Sequence, residues 1–105
     1  MIKIKYLKSG YEYDKVSILG HALYDDYGKD IVCAAVSSIV ICSVNGILSI
    51  KEHGLKYMKS DKGIIIDNIS KDKNVQKLID NMISLLKQLE RDYPDNVKLE
   101  GGKLW

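Results

Sequence analysis

A stripe of apolar residues between positions 70 and 93 limits the possible folds of this chain more than any other feature of its sequence. The residues recur at three- and four-residue steps and stop before Pro94, which is the spacing of an amphipathic helix. They are Val75, Leu78, Ile79, Met82, Leu85, Leu86 and Leu89. One face of this helix must be covered, so we expect it to pack on a sheet or a second helix.

A second apolar segment runs from Ile31 to Val44, and periodicity alone does not separate a buried strand from a buried helix there. Asp30 is a favoured N-cap residue, and Asn45 with Gly46 is a typical C-terminal stop. The segment between them is also long for a strand. We therefore predict a buried helix over 31–44, followed by a short strand or a connection in "GILSI".

Strand patterns surround these two segments. "MIKIKYL" alternates apolar residues with lysines, and Ser9 with Gly10 marks a turn into a second strand that ends near Leu19. A second hairpin is predicted around a turn at 61–63, with "NVKLE" as a last strand and "GGKLW" as a loose tail. The predicted order is β-β-α-β-β-α-β.

The length of 105 residues suits one small domain over 1–105. We predict an α/β (α+β) fold, with a mixed sheet covered on one face by two helices. The 16 basic residues include a single arginine, Arg91, and are scattered among 14 acids. Proteins that bind nucleic acid concentrate basic residues on one face, so we expect no direct nucleic-acid partner.

The cellular location follows from what the sequence lacks. Ser37, Ser38, Ser43 and Asn45 interrupt the longest apolar region, and the N-terminus has no apolar block typical of a secretory signal. We therefore expect a cytoplasmic protein with no membrane contact. Two cysteines are too few for a disulfide framework, so both are expected to be thiols.

Cys33 is the first candidate for chemistry. With Asp30 as N-cap it is the third helical residue, where unpaired N–H groups and the helix dipole favour a thiolate and can hold an oxyanion. His21 ends the second strand, and the loop after it must return to the helix start. An imidazole beside a thiol can serve as base and then as acid. The plain alternatives are a core cysteine and a surface histidine.

The other cysteine and histidine give no second site. Cys42 lies nine residues after Cys33, which places it on the opposite side of the helix. We interpret Cys42 as core and His53 as an exposed loop residue. The chain has no C-x-x-C spacing, so we expect neither a metal site nor a cofactor.

Six further residues are candidates for substrate binding. Gly20 and Gly28 bracket the loop before the helix and give it hinge freedom, while Tyr24 and Tyr27 have side chains able to cover a bound peptide. Asp30 caps the helix and is the nearest candidate to orient His21, although the two roles compete. Ser37 is one turn after Cys33 on the same face, and local bonding to the preceding turn is its commoner role.

"GHA", a glycine and then "DIVCAAVS" resemble the signature of the ribosomal-processing cysteine protease family, called Prp. The motif positions are Gly20, His21, Gly28, Asp30, Cys33 and Ser37. The resemblance implies a small α/β homodimer with Cys33 as nucleophile and His21 as general base. It also implies an endopeptidase that removes the N-terminal extension of large-subunit ribosomal protein 27, so the expected partner is that substrate peptide. The alternative function is a non-catalytic ribosome-associated binding module with a structural thiol.

Overall fold

The computed structural model describes residues 1–20 and 30–103. Its strands are Ile2–Ser9 (β1), Glu12–Leu19 (β2), Lys56–Ser60 (β3), Gly63–Asp67 (β4) and Val97–Lys103 (β5). Its helices are Ile31–Ile50 (α1), between β2 and β3, and Lys73–Asp92 (α2), between β4 and β5. The predicted order and fold class are confirmed.

The described strands form one mixed sheet in the order β3-β4-β2-β1-β5. Three neighbouring pairs are antiparallel, and two of these are the predicted hairpins. β5 instead runs parallel to β1, with Ile2 opposite Val97 and Ile4 opposite Leu99. β4 is parallel to β5 as well, and the segment containing α2 is the long crossover connection between these two strands.

Both helices pack on one face of this sheet. Alternate residues of β1, β2 and β4, such as Ile4, Val16 and Ile66, are fully buried against them. α1 contributes one buried face to the same core: Val32, Val36, Val40, Val44 and Ile47. α2 contributes Val75, Ile79, Met82, Ile83 and Leu86. Each such side chain contributes about 1.5–3 kcal/mol by leaving water, so this shared layer dominates the stability of the fold.

α1 is longer than the sequence predicts, and the predicted stop at Asn45 and Gly46 is wrong. The helix continues to Ile50, so "GILSI" is its last part and neither a strand nor a connection. Ile47 is fully buried in the core, and packing there stabilises the last turns. The free energy gained by burying Ile47 exceeds the cost of a glycine inside the helix. Tertiary contact therefore overrides the local helix-stop signal.

The first helix, predicted to be buried, is buried on one face only. Only one face of α1 is buried, and Ile31, Ile41 and Ile50 are exposed on the rest. By length and composition α1 is long and apolar enough to cross a membrane. In this fold its buried face belongs to the same core as the sheet and α2.

The "GGKLW" segment is not a loose tail where the structure describes it. Gly101, Gly102 and Lys103 pair with Tyr6, Leu7 and Lys8 as the end of β5. A Cβ on Gly101 would lie 2.7 Å from the ring of Tyr6, so a glycine lets that ring lie over the strand. Residues 104–105 lie outside the described residues.

Candidate active site

Asp30 organises the start of α1, as its predicted N-cap role requires. Its backbone is extended, and its Oδ1 accepts hydrogen bonds from the N–H groups of Val32 at 2.9 Å and Cys33 at 3.0 Å. The Asp30 carbonyl accepts from Ala34 N–H at 3.1 Å. Cys33 therefore lies in the first turn, half-buried and packed against the core.

The same hydrogen bonds change the expected electrostatics of this helix start. The N–H groups of Val32 and Cys33 already donate to a carboxylate, so the structure does not support the expectation that they hold an oxyanion. The first turn of α1 contains no acidic residue beyond this cap.

A cleft opens beside the Cys33 thiol, with a volume of about 350 Å³. Cys33 and Ser37 of α1 line one wall, and the β3–β4 turn lines the opposite wall with residues 59–63. Ile2, Ile18 and Ile64 of the sheet form an apolar floor. Gly20 lies at the end of β2 in the same cleft, so three predicted site residues, Gly20, Cys33 and Ser37, line one cavity.

Gly20 occupies a backbone position that other residues adopt poorly. Its φ is +90°, and a Cβ there would lie 2.5 Å from the Met1 carbonyl oxygen. Its N–H donates to the Lys62 carbonyl at 3.4 Å, which ties the end of β2 to the β3–β4 turn. The motif glycine thus lets the chain leave the sheet at the cleft.

The opposite wall of the cleft is absent from the sequence-based prediction. Lys59, Asp61 and Lys62 belong to a hairpin that follows α1, far along the chain from the Cys33 motif. The sequence shows only a turn with two lysines near it. Sheet topology brings this turn to the helix start, because β4 pairs with β2 in the middle of the sheet.

Four predicted site residues, His21, Tyr24, Tyr27 and Gly28, lie in residues 21–29, outside the described residues. His21 follows Gly20 directly in the chain. Its pairing with Cys33 and the predicted roles of the two tyrosines stay predictions.

The interpretation of Cys42 as a core residue is wrong, because its side chain is exposed on α1. Its predicted position opposite Cys33 is nonetheless what the structure has, since only Cys33 packs on the core. Ser38, Asn45 and Ser49 mark the exposed face at helical spacing, and this signal was available in the sequence. His53 is exposed after α1, as predicted. Within 1–20 and 30–103, no three His, Cys, Asp or Glu side chains are grouped to hold a metal ion.

Comparison with known proteins places this cleft in a family. The family model described as "Cysteine protease Prp" matches residues 1–98. The chain belongs to the Prp cysteine protease family. The ribosomal processing cysteine protease Prp of Staphylococcus aureus is 32% identical over 83 residues, covering 76% of this chain and 78% of that protein. The Bacillus subtilis Prp protein is 31% identical over 90 residues, with the same coverage.

Solved structures agree with this assignment. The S. aureus Prp protease in complex with a covalently linked product peptide superposes with a TM-score of 0.90. The two sequences are 26% identical, and the match covers 96% of this chain and 99% of the other. SMU.848 from Streptococcus mutans matches with a TM-score of 0.81 at 27% identity, over 98% of this chain and 95% of that one. The protein is therefore a Prp-type cysteine protease with the Prp fold.

Proposed function

We propose that this protein is an endopeptidase with Cys33 as nucleophile and His21 as general base. Its substrate is the short N-terminal extension of large-subunit ribosomal protein 27, and its removal supports ribosome assembly. The observation that carries the proposal is the cleft shared by Cys33 and Gly20. Position 21 is one peptide bond from Gly20, and consecutive Cα atoms are about 3.8 Å apart.

The reaction is acyl transfer to the thiol followed by hydrolysis. His21 takes the Cys33 proton, and the thiolate attacks the scissile carbonyl. The tetrahedral intermediate collapses as the peptide C–N bond breaks, and the leaving amine takes a proton from His21. Water then attacks the thioester, which releases the N-terminal fragment as a carboxylate and restores the thiol.

The remaining predicted binding residues have separate roles in this proposal. Asp30 holds the helix start, and with it the sulfur, in place through two hydrogen bonds. Gly20 supplies the backbone turn at the cleft, and Ser37 lines the wall beside the thiol. Tyr24, Tyr27 and Gly28 contribute to closing the 21–29 loop over an extended peptide. A peptide ligand in the S. aureus relative supports a peptide substrate here.

We also propose that the protein acts in the cytoplasm, without cofactor or direct nucleic-acid contact, as a homodimer. α1 supports the dimer, because none of its 20 residues is charged and much of its outer face is exposed. Charged residues are depleted in the centres of protein interfaces, and such a face suits a second protein chain. Light scattering after gel filtration measures the mass. Exchanging Ile41 for Lys should convert a dimer to a monomer.

Incubation with ribosomal protein 27 carrying its N-terminal extension tests the proposed activity, with mass spectrometry of the products. Cys33→Ala and His21→Ala should each abolish cleavage. The chain supplies its own matched controls, since Cys42 and His53 are an exposed thiol and an exposed imidazole outside the cleft. Cys42→Ala and His53→Ala should cleave at the wild-type rate.

Two results would count against the proposal. Cleavage by Cys33→Ala would remove the nucleophile, and cleavage by His21→Ala at the wild-type rate would remove the base. Cleavage of another ribosomal protein in place of protein 27 would keep the dyad and change the substrate.

A further inference from the structure

The end of the β3–β4 hairpin, residues 59–63, lines the same cleft as Cys33 and is the positively charged part of its described lining. Lys59 and Lys62 line the cleft with one acid, Asp61. The ion pair found within residues 1–20 and 30–103 joins Lys71 to Asp14, so neither cleft lysine is paired with a described carboxylate. This wall carries a net positive charge beside the thiol.

At the helix start, three backbone N–H groups already donate hydrogen bonds to Asp30. The N–H groups of Val32 and Cys33 donate to Asp30 Oδ1, and that of Ala34 donates to the Asp30 carbonyl. The Asp30 carboxylate itself repels an anion. Among the described residues, the positively charged side chains that line the cleft with Cys33 are these two lysines.

We propose that Lys59 and Lys62 form a carboxylate-binding subsite that holds the new C-terminal carboxylate of the cleaved peptide. This inference rests on the proposed hydrolysis, because breaking the thioester with water leaves a carboxylate where the acyl carbon was bonded to the sulfur. The floor of Ile2, Ile18 and Ile64 suits an apolar side chain at the end of that peptide. The released N-terminal fragment then binds in the cleft and inhibits further cleavage of the substrate.

Two alkylating reagents test the subsite without any substrate. Iodoacetate and iodoacetamide differ in one group, a carboxylate against an amide, and each places that group close to the sulfur it attacks. The rate ratio of iodoacetate to iodoacetamide, measured by peptide mapping, should be higher at Cys33 than at Cys42. Cys42 is an exposed thiol on the same helix, and α1 has no charged residue.

Lysine variants test whether Lys59 and Lys62 cause the higher rate ratio at Cys33. Lys59→Gln and Lys62→Gln should each lower the ratio at Cys33 by about 3-fold, the size expected for an exposed charge pair. Lys56→Gln removes the same charge from an exposed residue of β3 that does not line the cleft, and it should leave the ratio unchanged. If the ratio of iodoacetate to iodoacetamide rates at Cys33 were the same in Lys59→Gln, Lys62→Gln and Lys56→Gln, the proposed subsite would be wrong.

Peptides give the functional readout. The N-terminal fragment released from ribosomal protein 27 is made as a free acid and as an amide, and its affinity for the Cys33→Ala protein is measured by calorimetry. The acid should bind about 3- to 10-fold tighter, and Lys59→Gln with Lys62→Gln should abolish that preference. A lysine-dependent alkylation ratio in a protein without peptidase activity would contradict the proposed function alone. Peptidase activity with a lysine-independent ratio would contradict the subsite alone.

Discussion

The Asp30 carboxylate accepts a hydrogen bond from the backbone N–H of Cys33 at 3.0 Å. The N-cap residue of α1 is thus bonded to the residue proposed as the nucleophile. The bond fixes the helix start and already occupies the Cys33 N–H group. Asp30 therefore has a structural role as the N-cap of α1.

Removing this cap should affect both stability and activity. Asp30→Ala should lower the free energy of unfolding by about 1 kcal/mol, and Asp30→Asn by much less, because asparagine also caps helices. Displacement of the sulfur should slow cleavage by about 10- to 100-fold in Asp30→Ala. Urea denaturation and the cleavage assay measure the two effects.

Asp72 provides the matched control. It caps α2 in the same way, accepting from Asn74 N–H at 2.9 Å and Val75 N–H at 3.2 Å. Asp72→Ala should lose similar stability and keep its activity. Equal losses of activity in the two alanine variants would show that Asp30 acts only through global stability.

The exposed position of Cys42 predicts a tolerant site. Cys42→Ser should change the free energy of unfolding by less than about 0.5 kcal/mol, as is usual for exposed positions. Ile47→Val, on the buried face of the same helix, should cost about 1 kcal/mol. Thermal and urea unfolding measure both, and a large loss in Cys42→Ser would place Cys42 inside the proposed dimer interface on α1.

Two glycines of opposite character predict opposite effects. Gly63 has φ +145°, and a Cβ there would lie 2.1 Å from the Ile18 carbonyl oxygen. Gly63→Ala should therefore destabilise the protein by about 2 kcal/mol through backbone strain. Gly46 lies inside α1 with open space around it, and Gly46→Ala should stabilise by about 0.5–1 kcal/mol. Urea denaturation measures both variants, and changes of the same sign in their free energies of unfolding would refute this prediction.

The buried Tyr13 predicts a change of stability at alkaline pH. Burial raises the pKa of Tyr13 well above its usual value, and its hydrogen bond to Asp80 Oδ1 at 2.7 Å raises this pKa further. A raised pKa in the folded state contributes stability that is complete below about pH 10 and is lost as the pH rises toward the folded pKa. The free energy of unfolding should fall above about pH 10, and it should fall less steeply in Tyr13→Phe.

At neutral pH the same variant loses one hydrogen bond, which should cost about 0.5–1.5 kcal/mol. Tyr11→Phe is the control, because Tyr11 is 95% exposed. The free energy of unfolding of Tyr11→Phe should match that of the wild type at neutral pH and at alkaline pH. Identical alkaline slopes in Tyr13→Phe and the wild type would contradict the assignment.

Local sequence determined the elements whose signals are periodic or depend on neighbouring residues. The stripe from Val75 to Leu89 placed α2, alternation placed β1, and Asp30 placed the start of α1 and Cys33 within its first turn. The six-position motif further indicated the family to which the chain belongs. These features depend on contacts within a few residues, which the order of side chains fixes directly.

Tertiary structure decided the features that depend on distant partners. Ile47 is buried in the core, and this burial lets α1 continue past Gly46. Gly101 pairs with Tyr6 in the sheet, where only a glycine leaves room for the tyrosine ring. The pairing of β4 with β2 brings the lysines of the β3–β4 turn opposite Cys33. Ser38, Asn45 and Ser49 indicate the exposed face of α1 in the sequence, but only the packed sheet and α2 decide how far along the helix the opposite face is covered.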